Sequence, residues 1–410
     1  MFDAIVVGAR CGGSPTAMLL ARHGHRVLLV DRARFPSDTV STHFIWPPGV
    51  ACLKRWGLLE RVLATNCPVI RTIGLDLGAF QLTGNPPPID GVAEMCAPRR
   101  TVLDKLLLDA AANAGVEIRE EFTVTGLTSS AGRVTGIRGR SKGGAAVAEP
   151  ARIVIGADGR NSVVAKTAGA EEYNVRPVLT CVCYAYWRSV APHVPAILPL
   201  PRRVAISFPT NDGLTVTPVV FPRDELKTVR ASLERHLLEA LGQVAGLAEP
   251  FRGGTRVERI RGMGDLPNFF RKPYGDGWAL VGDAGYHKDP ILGQGISDAF
   301  CCAEWLADAV HAGFNGVRPL AEALAEYQYI RDEHFGPMYD LCCNMAALEP
   351  PPPEMQALYQ VREVYGIRKI SFDGEQAVRV EYDASRLGEN TVAALLRRAG
   401  LDVREKIVLV

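Results

Sequence analysis

Three short segments of this chain combine glycines with charged residues at spacings that suit one large, phosphate-bearing ligand. The first is Gly8-Ala9-Arg10-Cys11-Gly12-Gly13, followed by Asp31 and Arg32. The second is Gly156-Ala157-Asp158-Gly159-Arg160. The third is Gly282-Asp283-Ala284, with Pro290-Ile291-Leu292-Gly293-Gln294-Gly295-Ile296 just after it. Glycines bring backbone N–H groups close to a pyrophosphate or a flat ring, and aspartates accept hydrogen bonds from ribose or ribityl hydroxyls. A helix opening at Ile296 would aim its positive end at that ring, where two-electron reduction of a flavin places negative charge on N1 and C2=O. Taken in order, the segments point to FAD and redox chemistry.

The elements that must hold them can be read from the pattern. Asp3 to Gly8 is a short apolar, β-branched run, Ser14 to His23 has helical spacing with Gly24 as its stop, and His25 to Val30 is a second buried strand. This βαβ unit carries an acid about twenty residues beyond its glycines, where a ribose would meet it. The middle glycine of the fingerprint is Arg10, which either crowds a pyrophosphate or lays its guanidinium against a phosphate or the flavin edge. Ala151 to Ile155 and Trp278 to Val281 are two more buried strands, delivering Asp158-Gly159 and Gly282-Asp283. A helix is expected from Ile296 to Ala312, with Gly313 as its stop.

Between these, Pro47-Pro48 opens a helix that Gly57 closes, preceded by an irregular stretch from which Thr42 and His43 are placed near the ring. His43 is as well explained as a surface or internally satisfied histidine. A helix beginning at Arg99-Arg100 and running to Gly115 has cations at its positive end, which suggests a nearby anion. Val124 lies in a following strand and is counted with the cofactor contacts. From about 170 to 265 the chain turns to strand-like runs with many prolines and few helices. Val178 to Arg188 alternates, so a pocket draws on the face with Tyr184, Tyr186 and Arg188 or on the one with Cys181, Cys183 and Trp187. Val204 to Phe208 and Leu214 to Phe221 are strands joined by an Asn211-Asp212-Gly213 turn, and Val190 to Pro201 reads as a proline-rich loop.

The 410 residues are enough for two or three domains. A net charge of +1, with no basic stretch interleaved with aromatics, argues against nucleic acid. No apolar run approaches the ~20 residues of a membrane span. With the first strand starting at residue 3, no signal peptide is expected and the location expected is cytoplasmic. None of the ten cysteines forms a C-x-x-C pair, so no metal site is expected, and Cys11 is notable only for its place in the nucleotide loop.

The ordered motifs resemble the group A flavoprotein monooxygenases, the p-hydroxybenzoate hydroxylase superfamily, which also embraces flavin-dependent halogenases and geranylgeranyl reductases. The likeness spans roughly residues 1 to 350: the fingerprint at Gly8 to Gly13, the R-x-x-L helix start at Arg100, Asp158-Gly159, and Gly282-Asp283. It implies that Asp31 binds the adenosine ribose, that Arg100 lies by the pyrophosphate and ribityl chain, that Asp283 holds the ribityl O3′, and that Gly295-Ile296 N–H groups face the pyrimidine edge. It further implies NAD(P)H as a transient reductant, O2 as co-substrate, a flavin C4a-hydroperoxide, and hydroxylation of an aromatic or polyketide-like small molecule. His43, His287, Tyr184 and Tyr186 are the candidate catalytic residues, with Tyr286 also near the ring. The W-x-W-x-I-P signature of tryptophan halogenases is absent, and Ser41-Thr42-His43 stands where geranylgeranyl reductases carry a cysteine–glycine pair. Reduction of the geranylgeranyl type remains the alternative.

The expected fold is α/β: a Rossmann-like FAD-binding domain (1–70, 97–170, 266–349) with an inserted, mostly antiparallel β-sheet substrate domain (71–96, 171–265). Beyond Pro350 to Pro353, residues 350–410 read as an αββαβ module resembling a ferredoxin-like, heavy-metal-associated domain without its C-x-x-C. It serves as a docking tail, or it makes the chain a flavoprotein that acts mainly as a binding partner.

Overall fold

The computed structural model describes residues 1–76, 81–191, 193–243, 251, 253–350, 361, 364–373, 377–401 and 403. Its central sheet is built from the apolar runs. Glu117–Arg119, Val27–Val30, Phe2–Val7, Val147–Gly156 and Trp278–Leu280 lie side by side in that order, all parallel. Val27–Val30 and Trp278–Leu280 are buried along their whole length, as strands covered on both faces must be. The register sets Val7 opposite both Val30 and Gly156, and Gly156 opposite Leu280. The chain therefore leaves these strands along one edge, and each glycine–aspartate segment begins there. Phe2–Val7 has its sequence neighbour on one side and Val147–Gly156 on the other, so this edge is a topological switch point, where open α/β sheets bind ligands.

One face is covered by the helices Gly13–Arg22, Arg100–Asn113 and Gly295–Phe314, which bury Met18, Leu103 and Phe300 in one core. The other carries the hairpin of Phe122–Ser130 and Arg133–Ser141, whose Phe122, Leu127 and Ile137 meet Ile5, Leu28 and Val154. The helix ends follow the glycines: Gly57 (φ +74°) stops Pro47–Arg55, and Gly115 (φ +94°) stops Arg100–Asn113.

A second sheet runs Thr255–Arg256, Thr180–Arg188, Thr215–Pro222, Arg203–Pro209, Ala196–Leu200, Ile73–Asp76, Gln81–Gly84. It is antiparallel except where Ala196–Leu200 meets Ile73–Asp76. The stretch read as a proline-rich loop thus supplies a strand. Pro199 is tolerated because only Ala196 and Ile197 pair on the Ile73–Asp76 side, so its missing N–H falls beyond that ladder. Both faces of Thr180–Arg188 are covered. Val182, Tyr184 and Tyr186 pack with Phe44, Phe208 and Ile291, whereas Cys181, Cys183 and Trp187 pack with Leu237 and Leu241. The latter two belong to the helix Leu233–Gly242, in a region read as having few helices, although Leu233, Leu237, Ala240 and Leu241 have helical spacing. A short third sheet, Glu172–Arg176, Asn268–Arg271 and Tyr286–His287, ties the two layers together.

In the C-terminal segment, Ile367–Asp373 and Ala377–Tyr382 pair antiparallel, and Glu389–Arg398 is a helix. The helix expected over 354–365 lies mostly, and the strand over 403–410 almost wholly, outside the described residues. Among the described residues no helix is long and apolar enough to cross a membrane.

Phe300 is fully buried in the helix behind the cleft, its ring 5.0 Å from that of Trp56. Phe300→Ala should cost about 3–5 kcal/mol and lower the urea midpoint clearly; an unchanged midpoint in equilibrium unfolding would contradict this packing.

Candidate functional site

At the switch point the structure opens a cleft of about 650 Å³. All three segments line it: Gly8, Arg10, Cys11 and Gly12 from the first, Asp158 and Gly159 from the second, Gly282 and Asp283 from the third. Pro290, Gly295 and Ile296 continue the same wall, and Asp31, Arg32, Thr42, Arg100 and Val124 close the remainder. Gly13 and Gly293 sit just behind the lining.

The segments meet backbone against backbone. Gly8 has φ +103°, and a Cβ there would fall 2.4 Å from the Ala157 carbonyl oxygen. A Cβ on Gly13 would fall 1.7 Å from the Gly8 carbonyl oxygen, so the first helix starts directly on the strand end. Gly12 lies against Val281 and Gly282, a Cβ there reaching within 3.6 Å of Val281. Such contacts are closed to any residue with a side chain at Gly8 or Gly13.

Arg10, the departure from the fingerprint, is directed along the wall. Its guanidinium donates to Asp104 (2.5 Å) and to Ser37 Oγ (2.9 Å), and it stands over the Phe35 ring. Asp104 is fully buried and also accepts from Arg100, Nε to Oδ1 at 3.0 Å and Nη2 to Oδ2 at 3.1 Å, with the Cys11 thiol 3.4 Å away. One carboxylate under two guanidinia leaves a single net positive charge. Burial disfavours the charged form of Arg100, but Asp104 holds its pKa above the ordinary value; burial also pushes the Cys11 thiol up, so it is un-ionised. The helices Gly13–Arg22 and Gly295–Phe314 both open at the cleft, and neither N-cap residue makes a side-chain capping bond. The Ser14 N–H is taken by the Arg10 carbonyl, but the dipoles of both helices add positive potential at the cleft.

The three aspartates differ. Asp31 accepts from the Ala9 N–H and the Ala33 N–H, both at 2.7 Å, holding both turns while leaving lone pairs for the cleft. Asp158 accepts from Ser162 and from the Val163 N–H (2.7 Å), fixing the start of the following helix; burial raises its pKa against those bonds. Beside it, Gly159 has φ +80° and open space around it. Asp283 is exposed to the cleft and accepts no hydrogen bond from the described residues.

Tyr184, Val182 and Pro218 of the second sheet roof the cleft, so the tyrosine face, and not the cysteine face, meets the ligand space. Burial pushes the Tyr184 phenol up to about 12. His43 and Tyr186 do not reach the lining. His43 is fully buried with φ +65°, and its Nε2 shares a 2.6 Å hydrogen bond with the Tyr186 hydroxyl. Burial first, then Arg100 and Arg99, push its pKa down to about 3, so the ring is neutral. Arg99 stands over the Tyr186 ring and pairs with Glu258. The anions suggested by the two helix-start arginines are therefore Glu258 and Asp104. His287 lines the cleft, its Nδ1 bonded to the Pro267 carbonyl and its ring stacked on Phe269. Trp46 anchors the Pro290–Leu292 turn and the next helix, donating from Nε1 to the Leu292 carbonyl and from its N–H to Ser297 Oγ, both at 2.9 Å. Beyond Thr42 and Gly293 lies a small apolar pocket walled by Phe44, Trp46, Ile197, Phe208, Ile291 and Leu292.

Sequence reasoning missed Asp104, whose signal was its i+4 spacing from Arg100 on an otherwise apolar helix face. It also missed Lys288, Asp289 and Asp298, three buried charged residues on the cleft wall; their only signal was charge within apolar surroundings. Among the described residues no group of three or more His, Cys, Asp or Glu could hold a metal ion.

Residues 1–316 match the FAD binding domain family. Over 401 residues, 92% of this chain and 94% of the relative, the chain is 25% identical to digeranylgeranylglycerophospholipid reductase 2 of Methanopyrus kandleri. Among solved structures it resembles the myxobacterial chondrochloren halogenase CndH, with TM-score 0.77 and 24% identity, over 83% of this chain and 81% of that one. It also resembles p-nitrophenol 4-monooxygenase PnpA from Pseudomonas putida, with TM-score 0.74 and 18% identity, over 88% and 93% of the two chains. At these identities the structural likenesses establish the fold.

The depressed His43 pKa has a sign that can be tested. Between the ordinary value of 6.5 and the folded value of about 3, the unfolded chain binds the extra proton, so stability falls as pH drops through that window. The slope should reach about 1.4 kcal/mol per pH unit from this group alone. Denaturation of His43→Asn at pH 7, 6 and 5 should show a shallower acid loss than the parent; parallel curves would refute the assignment.

Proposed function

Because the chain belongs to the FAD binding domain family, and is thus an FAD-dependent oxidoreductase, we propose that it is a flavin monooxygenase, reduced by NAD(P)H, that hydroxylates an aromatic or polyketide-like small molecule. The observation that carries the cofactor's placement is the convergence of the three glycine segments on one cleft with two uncapped helix starts and a net positive clasp. The residues fit the group: Gly8 and Gly13 close strand end and helix start backbone against backbone, which leaves a main-chain surface facing the cleft, and the Arg10–Asp104–Arg100 cluster offers one positive charge to a pyrophosphate. In this reading Asp31 takes the adenosine ribose, Arg100 and the Gly12–Gly13 N–H groups the pyrophosphate, Asp283 the ribityl chain, and Gly295–Ile296 the pyrimidine edge.

When bound, FAD supplies two-electron transfer and, once reduced, activation of O2. The chain's own residues bind, orient and exclude water. Tyr184, a buried phenol that stays protonated at neutral pH, lines the substrate space, and its single O–H, which here points to the Thr39 carbonyl at 3.5 Å, turns to a substrate atom. His43 and Tyr186 position Tyr184 from behind through ring-edge contacts at 5.4 and 5.7 Å. The apolar pocket beyond Thr42 keeps water from the reacting end. A second reading, reduction of an isoprenoid double bond, is favoured by the near full-length likeness to a digeranylgeranylglycerophospholipid reductase.

Asp283→Ala should weaken FAD retention at least tenfold, measured by equilibrium dialysis of the apoprotein; unchanged retention removes that role. The two reactions separate under 18O2 with NAD(P)H and a panel of phenolic and isoprenoid compounds. Label in the product supports hydroxylation, whereas turnover without O2 that saturates a double bond supports the reductase.

A further inference from the structure

Lys288 and Asp298 form a buried ion pair on the cleft wall that no step above uses. Nζ lies 2.5 Å from Oδ2, and the side chains are 5% and 12% exposed. Both residues line the cleft. The ammonium also stands 5.2 Å from the Tyr286 ring and 5.6 Å from the Phe335 ring. Withdrawing two such charges from water costs several kcal/mol each, and a packed apolar pair of like volume is often as stable or more so. Stability alone does not account for the pair.

Its position does. Asp298 is in the first turn of Gly295–Phe314, the helix that opens at the cleft without a side-chain cap. An acid there suits the helix dipole, but it sets a full negative charge beside the end that carries roughly half a positive one. Left alone, Asp298 would turn the potential at this end negative. Lys288 cancels it, and of the three N–H groups on its ammonium Asp298 engages one among the described residues. Other groups nearby are Asp283, His334, Cys302, Cys342 and the Tyr286 hydroxyl, which is buried without a partner among the described residues.

We propose that Lys288 is an electrostatic positioning residue for the cofactor: by neutralising Asp298 it keeps the cleft end at Gly295 positive, so that the flavin can hold the negative charge of its reduced form. Two electrons and one proton enter the ring, from a reduced nicotinamide in turnover or dithionite in a titration, and one negative charge remains on the pyrimidine edge. The inference rests on the placement of the ring at Gly295 proposed above.

The test is the midpoint potential of bound FAD in the holoenzyme, by dye-coupled reduction of the parent, K288M, D298N and K288M/D298N. K288M should disfavour reduction at least tenfold, about 30 mV to the negative side for a two-electron couple. D298N should shift the potential the other way, and the double variant should return to within about threefold of the parent, about 14 mV. Potentials unchanged in the single variants, or both shifted in one direction, overturn the proposal. If K288M fails to fold or to hold FAD, D298N and the double variant decide it by the same criteria. Failure of the ring placement is distinguishable, since it appears as FAD retention insensitive to Asp283→Ala whatever the potentials do.

Discussion

The cleft depends on one contact, the closure of Gly8 on the Ala157 backbone with Gly13 seated on the Gly8 carbonyl. No side chain fits between these reversals, so the floor of the site is main chain. Its consequence is a surface of N–H groups and two helix starts rather than one of side chains, which is what a pyrophosphate and a flat ring require. The strand register makes the contact possible: Val7 beside Gly156 and Gly156 beside Leu280 bring the reversals to one level. A methyl group at Gly13 would push the first helix off the strand and turn its N-terminus from the ligand. The rest of the cleft, from the Asp31 turn to the Asp283 turn, is hung on that floor.

Electrostatics follows the same economy. A site for a dianionic pyrophosphate could use free arginines, but two guanidinia side by side in an unliganded cleft repel each other and move. Asp104 removes that repulsion and fixes both in place, leaving one net positive charge already oriented. The Lys288–Asp298 pair is the counterpart at the other end. There the pair carries no net charge, so the positive potential at that end is left to the helix backbone.

The parts of this fold legible in the sequence were those fixed by local backbone demands. Gly8, Gly57, Gly115 and Gly282 adopt positive φ, and the buried parallel strands announce themselves as apolar runs. What was illegible depends on partners far along the chain. Ala196–Leu200 is a strand because Ile73–Asp76 and Arg203–Pro209 flank it, and no local pattern reveals that. His43 admitted two readings until Tyr186, 143 residues away, was found against its Nε2. Asp104 stood four residues from Arg100 on a helix, yet its meaning came only with Arg10 arriving from the nucleotide loop.

The two candidate reactions make their different demands on the walls of the cleft and not on its floor, since both use the same cofactor. Saturating a double bond adds a hydride equivalent and a proton, so it needs an acid over the ring. Hydroxylation needs a dry, shaped space and a group that orients the substrate. The roof offers Tyr184, whose phenol burial holds in the protonated form, and behind it a histidine that burial and two arginines keep neutral. His287 and Lys288 stand on the same lining, so that phenol suits either a hydrogen-bond donor that orients a polar atom or an acid that regains its proton between turnovers. The apolar pocket past Thr42, with its aromatic and branched walls, adds the dryness that oxygen transfer demands. These walls thus serve both proposed reactions, since the same apolar pocket is what an isoprenoid chain would also seek.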